Sequence, residues 1–172
     1  LAEGIAEYVD LSTSQEMVFD HGVMLPLHLL RTELPVVPII VNCLAGMPAP
    51  LHRCHVLGVA IRRTVDCWPE RVAVLGTGGL SHWPAMPGSG QIGIDFDRRF
   101  LHAFLTGTIE SFLRYPKEKF EAEAGPGGHE IRTWITIAGA AGDARGSLLA
   151  YQPVPAWSTG CAVAVLEIER AG

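Results

Sequence analysis

Two histidines and one glutamate stand out because their side chains can do acid–base or metal chemistry. His82 ends the glycine-rich loop 76–82, which directly follows a short apolar run. His21 lies between an aspartate and a glycine at the end of another apolar run, and Glu130 follows a glycine-rich break. Each lies where a regular element is expected to meet a loop, which is where α/β proteins build their sites.

Two histidines and one carboxylate form the ligand set of non-haem Fe(II) oxygenases, so His21, His82 and Glu130 could form such a triad. Each residue also has an ordinary explanation. His82 could be a loop histidine bonded to backbone, and His21 a helix-entry residue beside a capping aspartate. Glu130 could be a favourable charge at the start of a helix. Spacing alone leaves both interpretations open.

The glycine-rich loop 76–82 resembles a phosphate-binding loop only superficially. It lacks the Gly-Lys-Ser/Thr ending of a P-loop and does not have the spacing of a dinucleotide fingerprint. A phosphate-handling hydrolase that uses this loop therefore ranks last among the alternatives.

The composition limits the classes of partner. The net charge is -5 and the 13 Lys and Arg residues are scattered, so no basic face is expected for nucleic acid or for an anionic membrane surface. No apolar run reaches the ~20 residues that span a bilayer, and the start of the chain lacks the basic residues of a signal peptide. Four cysteines without metal-type spacing indicate reduced, mostly buried thiols and a cytoplasmic protein.

Apolar periodicity predicts helices and strands that alternate along the chain. The predicted helices cover 1–8, 23–32, 50–68, 95–105, 108–124 and 129–138, and the predicted strands cover 36–44, 71–75, 147–152 and 161–168. An irregular loop is expected over 83–94, with Asp95 as the N-cap of the next helix. This order predicts one α/β domain over 1–172, with three α/β/α layers, a central mixed sheet and an antiparallel pair at its end.

Several ordered motifs resemble one known family. They are residues 14–22 (SQEMVFDHG), 37–42 (VPIIVN), Arg53-Cys54, Leu57-Gly58, 60–63 (AIRR), 76–82 (GTGGLSH), Ala124-Gly125, Glu130, Trp134, Gly139-Ala140, Tyr151 and Pro155. This set resembles the class III extradiol ring-cleavage dioxygenases, and among them the beta subunit type of the protocatechuate 4,5-dioxygenases. The resemblance covers nearly the whole chain.

The resemblance implies a role for each of the three candidate residues. In that family Fe(II) is held by two histidines and a glutamate, and both histidines belong to a region that precedes the part matched here. Glu130 corresponds to the glutamate ligand. His82 and His21 correspond to active-site histidines that do not bind iron, with His82 as the principal base and His21 as its acid or hydrogen-bonding partner.

The resemblance also implies substrates and assembly. The substrates would be O2 and a catechol that carries a carboxylate, such as protocatechuate, gallate or a dihydroxyphenyl acid, and the ring would be cleaved beside the diol. A homo-oligomer is expected, and the resemblance also allows a small helical companion subunit. The chain is expected to be a catalytic domain without its N-terminal segment. The main alternative is an iron-free binding or interaction protein on the same fold.

Overall fold

The computed structural model describes residues 1–43, 46–84 and 90–168 of the chain. Its elements, in chain order, are α1 (Ala2–Ala6), α2 (His21–Leu30), α3 (Leu51–Val65), α4 (Ile94–Thr106), α5 (Glu110–Leu113), α6 (Lys117–Ala124), a 3-10 helix (Pro126–Glu130), α7 (Ile131–Ala141), β1 (Gly146–Val154), a 3-10 turn (Pro155–Trp157) and β2 (Thr159–Leu166). None of the helices among these residues is long and apolar enough to cross a membrane.

The core forms around α4 because its aromatic residues recur every four positions. Phe96, Phe100 and Phe104 lie on one buried face of the helix and stack along it. Phe120 of α6 meets Phe96 edge to face at 5.4 Å, and Trp134 of α7 meets Phe104 in the same way at 5.2 Å. These contacts join α4, α6 and α7 into one core.

Helices α3 and α7 cross at very close range. An ideal Cβ placed on Gly58 would lie 1.9 Å from the carbonyl oxygen of Thr136, and one placed on Gly139 would lie 2.1 Å from that of His55. Only glycine therefore allows these two backbones to approach so closely. A second, smaller core joins α1 to α3 through Ile5 and Ile61.

The two strands pair antiparallel, from Gly146 opposite Leu166 to Val154 opposite Thr159, with an irregularity between Leu148 and Ala150. The antiparallel pair predicted at the end of the sequence is thus confirmed. Both strands pack against α4.

The predicted central mixed sheet is not formed among the described residues, whose sheet has two strands. No strand forms over 71–75 or over the described part of the predicted strand 36–44, and Leu44 lies outside the described residues. A β-branched run becomes a strand only when another backbone satisfies its N–H and C=O groups. Here Ile40 and Leu75 remain 66% and 58% exposed.

Other expectations were met more closely. The helices predicted over 50–68 and 95–105 are confirmed as α3 and α4, although α4 begins after Gly93, with Asp95 in its first turn and not at the N-cap. The segment 108–124 is helical but not only surface, because α5 and α6 each bury a phenylalanine. Part of the predicted loop 83–94, residues 85–89, lies outside the described residues.

The four cysteines are free thiols, as predicted, but they are less buried than expected. Only Cys54 is fully buried, and Cys67 is exposed. Burial raises the pKa of both Cys43 and Cys54 to about 11, which keeps these thiols protonated and unreactive at neutral pH.

Candidate functional site

The loop 76–82 crosses the N-terminal end of α7, where the side chains of Glu130 and Trp134 form hydrogen bonds with the loop backbone. Gly78 has φ +146°, a conformation that favours glycine, and its carbonyl oxygen accepts a hydrogen bond from Trp134 Nε1 at 3.0 Å. An ideal Cβ on Gly78 would lie 3.1 Å from the Cβ of Glu130. The glycines thus let the loop lie directly on the glutamate.

Glu130 lies where the 3-10 helix Pro126–Glu130 continues into α7. Its Oε2 accepts a hydrogen bond from the backbone N–H of Gly79 at 2.5 Å. A carboxylate has about four lone-pair positions, so this bond leaves acceptor capacity for a further ligand. The predicted role as a helix-start charge and the predicted role as a metal ligand are therefore compatible.

His82 has its backbone fixed on both sides. Its N–H donates to the carbonyl oxygen of Ala124 at 2.7 Å, and its carbonyl oxygen accepts from the N–H of Gly127 at 2.9 Å. It also forms an isolated antiparallel bridge with Thr159. The half-buried imidazole lies over Gly127, and within the described residues neither ring nitrogen has a hydrogen-bond partner. The backbone bonds thus position the ring, and both of its nitrogens are available for a hydrogen bond to a ligand.

His21 belongs to a different element from Glu130 and His82. It is the exposed first residue of α2, and the preceding Asp20 is the N-cap, whose Oδ1 accepts from Gly22 N–H at 2.9 Å. His21 thus occupies the helix-entry position beside a capping aspartate, and its predicted role in the site stays a prediction. The structure joins Glu130 to the loop of His82. Among the described residues, no hydrogen bond or ion pair links His21 to either of them.

A buried aspartate that the sequence analysis missed lies beneath the loop. Asp97 of α4 is fully buried and accepts hydrogen bonds from Ser81 N–H at 2.8 Å, Ser81 Oγ at 3.0 Å and Tyr151 OH at 2.9 Å. Burial raises the pKa of the Asp97 carboxyl, and the three donors act against that rise. One signal pointed to it, since Asp97 precedes Leu101 by four residues and Phe104 by seven, on the apolar face of α4.

A second buried network lies on the other side of Glu130. The His129 ring stacks on Phe120 at 5.1 Å, its Nε2 lies 3.1 Å from Glu121 Oε1, and its Nδ1 lies 2.9 Å from an Arg132 guanidinium nitrogen. Because arginine only donates, Nδ1 must accept and Nε2 carries the hydrogen, so His129 is neutral. Burial lowers the pKa of His129 and outweighs the opposing effect of Glu121.

A cleft of about 1060 Å³ lies between the segments 9–19 and 37–42 and the first turns of α3. Its lining includes Asn42 and Arg53 but neither His82 nor Glu130. We place the candidate site at the loop and not in this cleft, because the side chains that could act as a base or bind a metal, His82 and Glu130, do not line the cleft.

The described residues do not supply a complete iron site. No group of three or more His, Cys, Asp or Glu side chains in the ranges 1–43, 46–84 and 90–168 is arranged to hold a metal ion. His21, His82 and Glu130 therefore do not form the three-ligand set that their residue types alone allowed. Glu130, which is hydrogen-bonded to the loop of His82, is the predicted residue that could serve as a ligand.

Comparison with known proteins gives the family. The family model for the catalytic LigB subunit of aromatic ring-opening dioxygenase matches residues 2–162. The chain therefore belongs to this family, which confirms the resemblance to class III extradiol dioxygenases. The family is α/β, and its dioxygenases generally use Fe(II).

Individual relatives share about 30% identity with the chain. The 2,3-dihydroxyphenylpropionate/2,3-dihydroxicinnamic acid 1,2-dioxygenases of Xanthobacter autotrophicus and Rhodococcus jostii are 29% and 30% identical, over 90% and 92% of this chain and 66% of each relative. That of Azotobacter vinelandii is 30% identical, over 92% of this chain and 67% of the relative. The chain thus spans slightly less than two thirds of the first two relatives.

The alignments with these relatives also show a difference in length within the matched region. They extend over 205 to 208 residues, which is longer than this chain of 172 residues. The relatives therefore carry residues inside the matched region that have no counterpart here. All three relatives are named for dihydroxyphenyl acids, so the narrower likeness to protocatechuate 4,5-dioxygenases stays a prediction.

Proposed function

We propose that this chain contributes His82 and Glu130 to the active site of an Fe(II)-dependent extradiol dioxygenase that acts on a catechol with a carboxylate side chain. In the overall reaction both atoms of O2 enter the organic product as the carbon–carbon bond beside the diol breaks. The family match and the relatives named for dihydroxyphenyl acids support this class of substrate.

One observation carries the proposal. The carboxylate of Glu130 is hydrogen-bonded to Gly79, three residues before His82, and the His82 ring lies over Gly127, three residues before Glu130. The candidate metal ligand and the candidate base are thus attached to the same joint between a loop and a 3-10 helix. A base beside a metal ligand suits a reaction in which a catechol loses its hydroxyl protons as it binds.

The role proposed for His82 is that of the principal acid–base group. Its ring nitrogens have no partner within the described residues, and its backbone is held by Ala124 and Gly127. A positioned imidazole can accept a hydroxyl proton from the catechol and return it later in the reaction. His21 is proposed as a second acid or hydrogen-bond donor, on the basis of the family resemblance alone.

Glu130 is proposed as one ligand of Fe(II), which supplies the activation of O2 that amino-acid side chains cannot provide. The oxygen not bonded to Gly79 is the natural ligand atom. A homo-oligomeric enzyme, with or without a small helical companion subunit, is proposed on the basis of the family resemblance alone.

The proposal is tested by iron binding and product formation in the same preparation. The intact protein is loaded anaerobically with Fe(II), the bound iron is counted, and O2 is then added with 2,3-dihydroxyphenylpropionate, 2,3-dihydroxycinnamate, protocatechuate or gallate. We expect bound iron and a yellow ring-cleavage product with the dihydroxyphenyl acids. Bound iron without turnover of any catechol would overturn the proposed reaction.

A second candidate, an iron-free binding or interaction protein, is favoured by one observation. Within the described residues no complete metal-ligand set is formed. This candidate predicts that the intact protein binds no iron, whereas the dioxygenase predicts bound iron that is lost on Glu130→Gln substitution. Counting iron in the two proteins separates the candidates.

A further inference from the structure

We infer that Asp97 is a positioning residue that holds the loop before His82 in place from beneath. The inference rests on the proposed function of His82, because a positioning role matters only if that imidazole takes part in the reaction. Asp97 is fully buried in α4 and touches neither His82 nor Glu130 directly. It acts through Ser81, the residue immediately before His82.

The hydrogen bonds of Asp97 concentrate on Ser81. Oδ1 accepts the Ser81 N–H and Oδ2 accepts the Ser81 hydroxyl, so one carboxylate fixes both the backbone and the side chain of this residue. The Ser81 hydroxyl in turn accepts the N–H of Gly93, which immediately precedes α4. Two bonds to one residue fix its orientation as well as its position.

The hairpin formed by β1 and β2 also contacts Asp97 and the loop. Tyr151 of β1 donates its hydroxyl to Asp97 Oδ2 at 2.9 Å. Gly160 of β2 donates its N–H to the Ser81 carbonyl oxygen at 2.9 Å and accepts the N–H of Leu80 at 3.0 Å. An ideal Cβ on Gly160 would lie 2.0 Å from Asp97 Oδ2, so β2 lies directly against the carboxylate.

A buried carboxylate is a costly way to hold a loop. Within the described residues no Lys or Arg forms an ion pair with Asp97, so hydrogen bonds alone offset the loss of its hydration. In return, Asp97 connects three elements rigidly: α4, the loop 76–82 and the β1–β2 hairpin. This connection is called the Asp97 joint below. The stiffness of this joint sets the direction of the next residue, His82.

Loss of this joint should affect the step that His82 performs more than substrate binding. Asp97 is fully buried beneath the loop, so its side chain is not exposed to a bound substrate. A displacement of the imidazole by about 1 Å is enough to lower a rate by up to ~100-fold. The inference therefore predicts a fall in kcat with KM changed by less than about twofold.

The test combines NMR of the His82 ring, in the intact protein without substrate, with kcat and KM for 2,3-dihydroxyphenylpropionate. The variants are Asp97→Asn and the milder Tyr151→Phe, which removes one donor and leaves both bonds to Ser81. Ile61→Val, in the separate core of α1 and α3, is the control for a general loss of stability. Tyr151→Phe keeps the test available if Asp97→Asn does not fold.

We expect Asp97→Asn and, to a smaller extent, Tyr151→Phe to shift or broaden the His82 ring resonances. Asp97→Asn should lower kcat by about tenfold or more and Tyr151→Phe by less, with Ile61→Val doing neither. Unchanged His82 resonances in either folded variant would overturn the inference, whatever the activity. If the resonances move but the iron-loaded wild type turns over no catechol, the positioning role stands and the proposed function fails. If the wild type is active and the resonances do not move, the proposed function stands and the positioning role fails.

Discussion

The carboxylate of Glu130 accepts a hydrogen bond from the backbone N–H of Gly79, which lies 51 positions earlier in the chain, at 2.5 Å. This bond ties the start of α7 to the loop that ends at His82. Because it uses one carboxylate oxygen, it fixes the direction of the other. The same contact is therefore both a structural link and the feature that would orient a metal ligand.

The first prediction separates these two roles of Glu130. Glu130→Gln keeps an oxygen that can accept the Gly79 N–H, so its stability should stay close to that of the wild type, while its affinity for Fe(II) falls. Glu130→Ala removes the acceptor and should cost about 1–3 kcal/mol of unfolding free energy. Urea unfolding and anaerobic iron binding measure the two effects. Equal iron binding by Glu130→Gln and the wild type would exclude Glu130 as a ligand.

The second prediction concerns the pH dependence of stability. Burial lowers the pKa of His129 in the folded protein below its ordinary value of 6.5, so the unfolded chain binds the proton more readily. The stability that depends on neutral His129 is thus complete above pH 6.5 and is lost as the pH falls from there toward the lower folded pKa. Protonated Nδ1 would face an arginine N–H.

A matched variant isolates this effect. In His129→Gln the amide can still accept from Arg132 and donate to Glu121, but it does not titrate. Unfolding free energies at pH 7.5 and 5.0 should therefore differ less in the variant than in the wild type. Burial raises the pKa of Asp97, so this carboxyl contributes a change of stability with pH of the opposite sign. Asp97 is present in both proteins, so its contribution cancels in the comparison. Identical pH slopes would show that His129 is not the group responsible.

The third prediction tests the close crossing of α3 and α7. Gly58→Ala places a methyl group 1.9 Å from the carbonyl oxygen of Thr136, so the helices must separate, and we expect a loss of about 3 kcal/mol. Gly22→Ala is the control, because its methyl group would meet only the exposed side chain of Asp20, at 3.1 Å, and should change stability by less than about 1 kcal/mol. Similar thermal unfolding of the two variants would contradict the described crossing.

The helices were largely predictable from the sequence because their signals are local. The apolar period of α3 and α4 is visible within 15 residues, and the short connection between β1 and β2 indicated an antiparallel pair. The central sheet was not predictable in the same way. The runs 36–44 and 71–75 have strand composition, but whether they pair depends on a partner backbone that their own residues do not specify.

In the candidate site, too, the residues with a local sequence signal were predicted, and the residue that is recognised only by its tertiary contacts was missed. His82 and Glu130 were found because glycine-rich loops and unusual polar residues stand out locally. Asp97 was missed because an aspartate in the first turn of a helix is usually a favourable surface charge, and only its tertiary contacts with Ser81 and Tyr151 distinguish it. His21 has a site-like local sequence, yet among the described residues no hydrogen bond links it to the loop 76–82.

The most direct test of the account is the rate of O2 consumption by the Fe(II)-loaded protein with 2,3-dihydroxyphenylpropionate. Wild type, His82→Ala and His52→Ala are compared, the last being an exposed histidine of α3 and hence a matched control. We predict uptake of O2 with a yellow product in the wild type and in His52→Ala. For His82→Ala we predict a rate lower by about 10²–10⁴-fold at unchanged iron content. Equal rates in His82→Ala and the wild type would contradict the assignment of His82 as the acid–base group.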